Sequence, residues 1–381
     1  MTKWVTKKLG DESVAKIIMG QSPSSTSYNE EFEGLPFLQG CAEFGKINPN
    51  THVYCKEPLK VAPENSILMS VRAPVGTMNR ADQKYIIGRG LCAIVPVIDG
   101  DYLYYYLSQN THLLEQRAQG STFLAVNTTE VSDMPITYPE SLTEQRRIAG
   151  ILSSADGAIA ASEALIAKYR NIKRGLLTTL LQPKEGWKKV KLGECCEKIT
   201  DGSHDSPKPV DDGYFMPSVK DMRYDDFDFS NCKQISKIDF ERLKGTGCKP
   251  EIGDVLIAKD GSILKYCFVV EQDLPIVVLS SIAILRPNQS IVDGKYLSYY
   301  FQKQDVVTDV VENYKSGTGV PRIVLRNFEQ IEIHLPDLAE QRRIAEILSS
   351  VDAKIAAEEK VVEKYKGVKK GLMEELMKSE K

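Results

Sequence analysis

The sequence has no apolar run approaching the ~18 residues that a bilayer span needs. Its basic, polar start, Met1 to Lys8, carries no apolar core of the kind found in a secretory leader. The expectation is a chain that works in the cytoplasm with no membrane partner. An excess of positive charge is also missing: 49 Lys and Arg stand against 52 Asp and Glu, a formal net charge of −3. Any contact with a polyanion must therefore come from a local patch. Basic residues do cluster at Lys168, Arg170, Lys173 and Arg174, and again at Lys364, Lys366, Lys369 and Lys370. Each cluster also falls in the last turns of a predicted helix, where the dipole favours cations.

Signatures of catalysis are absent as well. The four histidines, His52, His112, His204 and His334, show no metal-ligand spacing with one another or with cysteine. Eight cysteines at irregular spacings, including the adjacent Cys195 and Cys196, argue for reduced packing thiols and against a disulfide framework. There is no glycine-rich strand-to-helix fingerprint, and no aromatic-terminated Asn-Pro-Pro stretch of the kind amino-group methyltransferases use on a flipped base. Gly40 to Lys46 (GCAEFGK) has the spacing of a phosphate-binding loop, but Ile47 stands where Ser or Thr should hold magnesium. The Asn48-Pro49-Asn50 that follows does not open a helix. Glu358, Glu359 and Lys360 could suggest a nuclease, yet they sit on a predicted long helix with no supporting strand and read as a solvated face.

What the sequence does have is a repeat. LTEQRRIAGILSSADGAIAASEALIAKYRNIKRGLL at 142–177 returns as LAEQRRIAEILSSVDAKIAAEEKVVEKYKGVKKGLM at 338–373, gapless and with more than half of the positions identical. Glu144 answers Glu340, Asp156 answers Asp352 and Tyr169 answers Tyr365. The duplication extends outward to Trp4–Gly10 against Trp187–Gly193 and to Tyr102–Leu107 against Tyr296–Phe301, while Asn65–Asn79 and Gly253–Tyr266 share only a general pattern. One module is written twice, with a repeated frame and a divergent insert.

Each repeated segment reads as a helix, with Ser141 and Asp337 as N-caps and Glu144 and Glu340 completing capping boxes. Apolar residues recur near heptad spacing, from Ile148 to Leu180 and from Ile344 to Leu376. About 40 residues at 1.5 Å each give helices of about 60 Å. Matched stripes in one chain predict an antiparallel pair with pseudo-twofold symmetry. Pro183 and Gly186 end the first helix. The segments before each helix hold short β-rich runs, such as Ile67–Val71, Leu91–Val97, Val255–Ala258 and Ile276–Leu285, punctuated by Gly, Pro, Asn and Asp. The expected fold is α/β: a first domain at 1–141, a helix at 142–183, a second domain at 184–337 and a helix at 338–381.

With no catalytic constellation, recognition remains. Long polar side chains at strand ends and in loops are what a groove-reading domain presents. The candidates are Gln39, Arg72, Arg89, Gln119, Ser121 and Thr122 in the first domain, and Lys220, Arg223, Lys259, Asp260, Ser262 and Arg322 in the second. Arg72 and Lys259 stand out, because each follows a short apolar strand at what read as matching places in the two copies.

The helix starts ESLTEQRRIAGIL and PDLAEQRRIAEIL, the Lys-Tyr and Lys-Arg/Lys-Gly-Leu helix ends and the two divergent domains resemble the specificity subunit of a type I restriction-modification system. The resemblance spans the chain; ILMSVRAPVG and DVLIAKDGS are its weaker parts, and Pro139 lies two residues before Ser141 instead of adjacent to it. It implies that each domain reads one half of a bipartite double-stranded DNA target and that the helices set the distance between halves. It implies two modification subunits that methylate adenine with S-adenosylmethionine, and restriction subunits that use ATP and magnesium to cut DNA. Those cofactors would belong to the partners, with none in this chain. Two rival readings stand beside it: a helical scaffold joining two protein-binding domains, and a specificity domain with a cryptic nuclease or methyltransferase.

Overall fold

The computed structural model describes residues 3–115, 125–317 and 319–378. The chain divides into two compact units, residues 1–162 with 361–381, and residues 163–360. Each unit thus takes part of both long helices, Leu142–Leu180 and Leu338–Leu376.

The first unit is built on a four-stranded antiparallel sheet in the order Ala15–Met19, Leu91–Pro96, Ile67–Ser70, Met78–Arg80. Its central strands are apolar on both faces because both are covered, as the period of two requires. Ile67, Met69, Cys92 and Ile94 join Tyr102, Leu103 and Leu107 of the helix Gly100–Asn110. The alternate residues Leu68, Leu91 and Ala93 join Leu38, Tyr85 and Ile87 of a second, five-stranded sheet. A two-stranded ribbon, Trp4–Lys8 with Pro135–Pro139, leads into the first long helix. The helical core of this unit also takes in Ile148, Ala149, Leu152 and Met377.

The second unit repeats the plan. Its sheet runs Cys196–Asp201, Ile282–Pro287, Val255–Ala258, Cys267–Val269, and its ribbon pairs Lys188–Lys191 with Glu332–Leu335. Val255, Ile257, Ala283 and Leu285 face Tyr296 and Leu297 of the helix Gly294–Tyr300, while Leu256, Ala258, Ile282 and Ile284 face Met222 and Phe227. Where the first unit has its five-stranded sheet, the second has a short pair, Tyr214–Phe215 with Gln234–Ile235, and a helix, Lys237–Gly245. The divergence of the sequence is thus a divergence of the outer layer, on a conserved inner sheet.

Two glycines show how alike the frames are. Gly20 and Gly202 each follow the sheet's edge strand, and their N–H groups donate to Leu91 O and Ile282 O. A Cβ on either would collide with a backbone carbonyl, Gly88 O or Val278 O, so only glycine allows this approach.

The long helices start as expected in one respect and differ in another. The Ser141 and Asp337 side chains accept from Glu144 N and Glu340 N at 3.4 and 2.9 Å. The two glutamate carboxylates, however, form bidentate pairs with Arg147 and Arg343 one turn on, at 2.6–2.9 Å, and this holds their pKa values below the usual range. An arginine fork outcompetes a lone N–H for a carboxylate, so the capping boxes are only half formed.

Within the second unit the helices run antiparallel: Arg170 pairs with Glu359, Lys173 with Asp352 and Lys184 with Glu340. Asp352 also accepts from Tyr299 Oη at 2.7 Å, and Lys173 Nζ lies 5.2 Å from the centre of that ring. The first unit has the same triad, with Lys369 Nζ and Tyr105 Oη on Asp156 at 2.6 and 2.8 Å. Several residues of the two basic clusters are thereby spent holding helices together.

One finding departs from the sequence reading: the helix Leu142–Leu180 is long and apolar enough, by length and composition, to cross a bilayer. Its isoleucines, leucines and alanines raise the mean hydropathy, while serines, glycines, Asp156 and Glu163 interrupt any continuous apolar run.

Candidate nucleic-acid interface

In the first unit three of the candidates meet. Gln39, Arg72 and Arg89 line one open cleft of about 200 Å³, together with Gly40, Cys41, Ser70, Ala73 and Gly90. Arg72 follows the strand Ile67–Ser70, Arg89 sits in the turn before Leu91–Pro96, and Gln39 ends the strand Leu35–Leu38. Ser22 ties two of these segments, its Oγ accepting from Gln39 Nε2 at 3.3 Å and from Arg89 N at 3.2 Å. All three candidate side chains are exposed, and the lining holds two arginines and no acid. Such a cleft attracts anions and offers fork-shaped donors. Gln119, Ser121 and Thr122 lie outside the described residues.

The segment that resembled a phosphate loop forms one wall. Cys41–Glu43 is a single 3-10 turn in which Glu43 accepts from Gly40 N, and a tight turn follows, with Gly45 N donating to Asn48 O. The second unit carries the same device in unrelated sequence: Val219–Asp221, with Asp221 accepting from Ser218 N and Arg223 N donating to Asp226 O. No helix N-terminus cradles a phosphate here, and the glycines serve the turn.

The six candidates of the second unit lie on segments that meet at the equivalent place. Lys220 lies in the 3-10 turn and is exposed. Ser281 links that turn to the strand end, its Oγ accepting from Val219 N and its carbonyl from Lys259 N. Asp260 pairs with Arg322 across an isolated bridge, and Ser262 N donates to Asp260 O. Arg223 is engaged locally, with its guanidinium on the carbonyls of Lys220 and Met222 and on Asp228 at 2.5 Å. Asp228 is held down at about 2 by hydrogen bonds from Ser230 first and from Arg223.

The pairing of Arg72 with Lys259 needs correction by one residue. Val71 N donates to Gly90 O and Val71 O accepts from Val126 N; Lys259 makes the same two bonds with Ser281 O and Ile323 N. Arg72 bridges Ala125 as Asp260 bridges Arg322. The counterpart of Lys259 is therefore the buried Val71, and the counterpart of Arg72 is Asp260. A slip of one residue along an extended strand turns the side chain to the opposite face. Lys259 accordingly points inward: it is buried, with Nζ 3.3 Å from both Asp201 Oδ2 and Asp260 Oδ1. Neither Asp201 nor Ser281 could be picked out from sequence, because the edge strand and the turn that bring them here have no motif.

Type I restriction modification DNA specificity domains match at residues 1–168 and again at 184–364. The chain belongs to the type I restriction-modification DNA specificity family. Among relatives, the specificity subunit assigned to the type I restriction enzyme MjaX of Methanocaldococcus jannaschii is 42% identical over 184 residues, 48% of this chain and 43% of that protein. That alignment spans less than half of the relative's length. The MjaIX specificity subunit of the same organism is 22% identical over 98% of this chain and 92% of its own. Of solved structures, the type I S subunit from M. genitalium superposes with a TM-score of 0.63 at 15% identity, covering 100% of this chain and 97% of that one. The fold of this specificity protein is thus that of a two-domain, helix-linked S subunit.

Among the described residues no group of three or more His, Cys, Asp or Glu is placed to hold a metal ion. Six of the eight cysteines are buried, and burial pushes the Cys92 thiol up to about 12.

Proposed function

We propose that this chain is the DNA-reading subunit of a type I restriction-modification complex and carries no catalysis of its own. Each domain reads one half of a bipartite target, and the two repeated helices set the spacing and dock two modification subunits. S-adenosylmethionine, ATP and magnesium act on the modification and restriction partners, in the cytoplasm. The observation that carries the reading is the pair of equivalent stations on one repeated frame, lined by Gln39, Arg72 and Arg89 in one unit and built from the segments that carry Asp260, Lys220 and Arg322 in the other. Unlike side chains on like frames are what an asymmetric target demands. The scaffold reading is less well supported, since the first cleft is lined by two arginines and not by an apolar patch.

The spacing role has a direct test. Four residues added to both helices, after Ala160 and after Ala356, lengthen each by about 6 Å, roughly one turn. At about 3.4 Å per base pair the methylated target should gain one or two base pairs of spacer. A heptad adds about 10 Å and rotates the second half-site by roughly 100°, so it should be tolerated less well. Sequencing of modified adenines in cells carrying each variant gives the spacer. An unchanged spacer in an active four-residue variant leaves the helices as a dock only.

A further inference from the structure

Asp260 stands where the first unit has Arg72, in a protein whose ligand is a polyanion on the reading proposed above. A carboxylate there repels phosphates, so its placement calls for a partner that donates hydrogen bonds. Its own support is built in. Asp260 Oδ1 and Oδ2 lie 3.3 and 3.5 Å from Lys259 Nζ. Lys259, with 7% of its side chain exposed, is held from the other side by Asp201 Oδ2 at 3.3 Å. The backbone on either side of Asp260 is fixed by the bridge to Arg322, by Gly261 N on Pro321 O and by Ile323 N on Lys259 O. The Asp260 side chain is nevertheless 26% exposed, unlike the Asp201 side chain at 11%. Two carboxylates share one lysine, and the more exposed one keeps acceptor capacity: each carboxylate offers about four lone-pair sites.

In the major groove the only donors that bases present are the exocyclic amines, N4 of cytosine and N6 of adenine, and acidic side chains read them. We infer that Asp260 is the specificity-determining residue with which the second domain reads an exocyclic amino group, and that Lys259 and Asp201 are the positioning pair that aims it. At the equivalent station of the first domain Arg72 presents donors, which suit the O6 and N7 acceptors of guanine. One station of the repeated frame thus carries opposite hydrogen-bonding polarity in the two domains. The inference rests on the proposed DNA-reading function and assigns one residue within it.

The test uses the full chain assembled with its modification subunits. Adenine methylation is mapped for the wild type, Asp260→Ala and the isosteric Asp260→Asn. The alanine variant should relax one position of the second half-site, with discrimination there falling roughly 5- to 150-fold, and should leave the first half-site unchanged. Oligonucleotides then carry, at the relaxed position, zebularine in place of cytosine or purine in place of adenine, each lacking the amine. Wild type should lose affinity on these analogues by the same factor, Asp260→Ala should be indifferent to them, and the analogue that matters tells cytosine from adenine. Equal losses for wild type and variant overturn the inference, as does an unchanged motif. Abolished methylation by both variants in a folded chain overturns it too, since a reader of one base should relax specificity and not destroy function. If the wild-type complex yields no sequence-specific methylation, the functional reading itself fails, an outcome distinct from all of these.

Discussion

Replacing Arg286 by methionine is expected to destabilise the second unit by about 3–5 kcal/mol, the cost of stranding a buried charge. Arg286 donates from Nε and Nη2 to the two oxygens of Asp254 at 2.8 and 2.9 Å, and Nη2 also reaches Glu251 at 2.9 Å. The Asp254 carboxylate is 1% exposed, so water cannot replace the lost guanidinium. The same carboxylate also accepts from Glu251 N, at 2.8 Å. Methionine keeps much of the volume, which isolates the charge effect from packing. The double variant Arg286→Met with Asp254→Asn should recover much of the loss, because it removes the uncompensated charge. Denaturant unfolding of the full chain measures both. A loss under about 1 kcal/mol for the single variant, the size of an exposed ion pair, would show that the pair is solvated.

A loss of comparable size, about 2–5 kcal/mol, is expected for Gln341→Ala, with a smaller one for Gln145→Ala. Gln341, 1% exposed, accepts from Asp293 N at 2.9 Å and donates to Pro336 O and Ile291 O at 2.9 and 3.1 Å. It fastens the long helix to the cap of the helix Gly294–Tyr300. Gln145 makes the corresponding bonds with Asp99 N and Pro139 O at 2.8 and 2.7 Å. Each buried group left without a partner costs about 1–3 kcal/mol. Alanine at 341 orphans three backbone groups and alanine at 145 orphans two, which sets the order. Equal or negligible losses in thermal or denaturant unfolding would mean that water enters and satisfies these groups.

The repeated glutamine shows why much of the architecture was legible. The EQRRI segments repeat without a gap because four of their five residues have the same duty in each unit: Gln locks a cap, the second Arg holds the Glu, and Ile is buried. A helix with such duties tolerates neither insertion nor drift, and a gapless repeat is easily seen. The inner strands were legible for a related reason, since runs such as Ile67–Ser70 and Val255–Ala258 are apolar on both faces. The outer layers were not. A five-stranded sheet in one unit and a short strand pair with a helix in the other leave no common pattern to align.

The candidate interface was legible in part. Gln39, Arg72 and Arg89 lie far apart in the sequence and share one cleft, because strand ends and turns of the two sheets converge there. Lys259 departs from the expectation because an apolar strand pattern cannot reveal a one-residue offset at the end of a strand. Only the backbone bonds of Val71 and Lys259 fix that register. The basic clusters of the long helices were ambiguous in sequence, and the ion pairs of Lys173 with Asp352 and Lys369 with Asp156 assign several of those charges to helix packing.

The central claim is that the two domains read DNA independently, each specifying one half of an asymmetric target. The most direct measurement is a map of methylated adenines in cells that express the chain with the modification subunits proposed as its partners, repeated after residues 1–141 are exchanged for the first domain of another family member. The account predicts a bipartite motif that is absent without this chain, and an exchange that rewrites one half while leaving the other half unchanged. A motif whose two halves change together, or methylation that is the same with and without the chain, would contradict it.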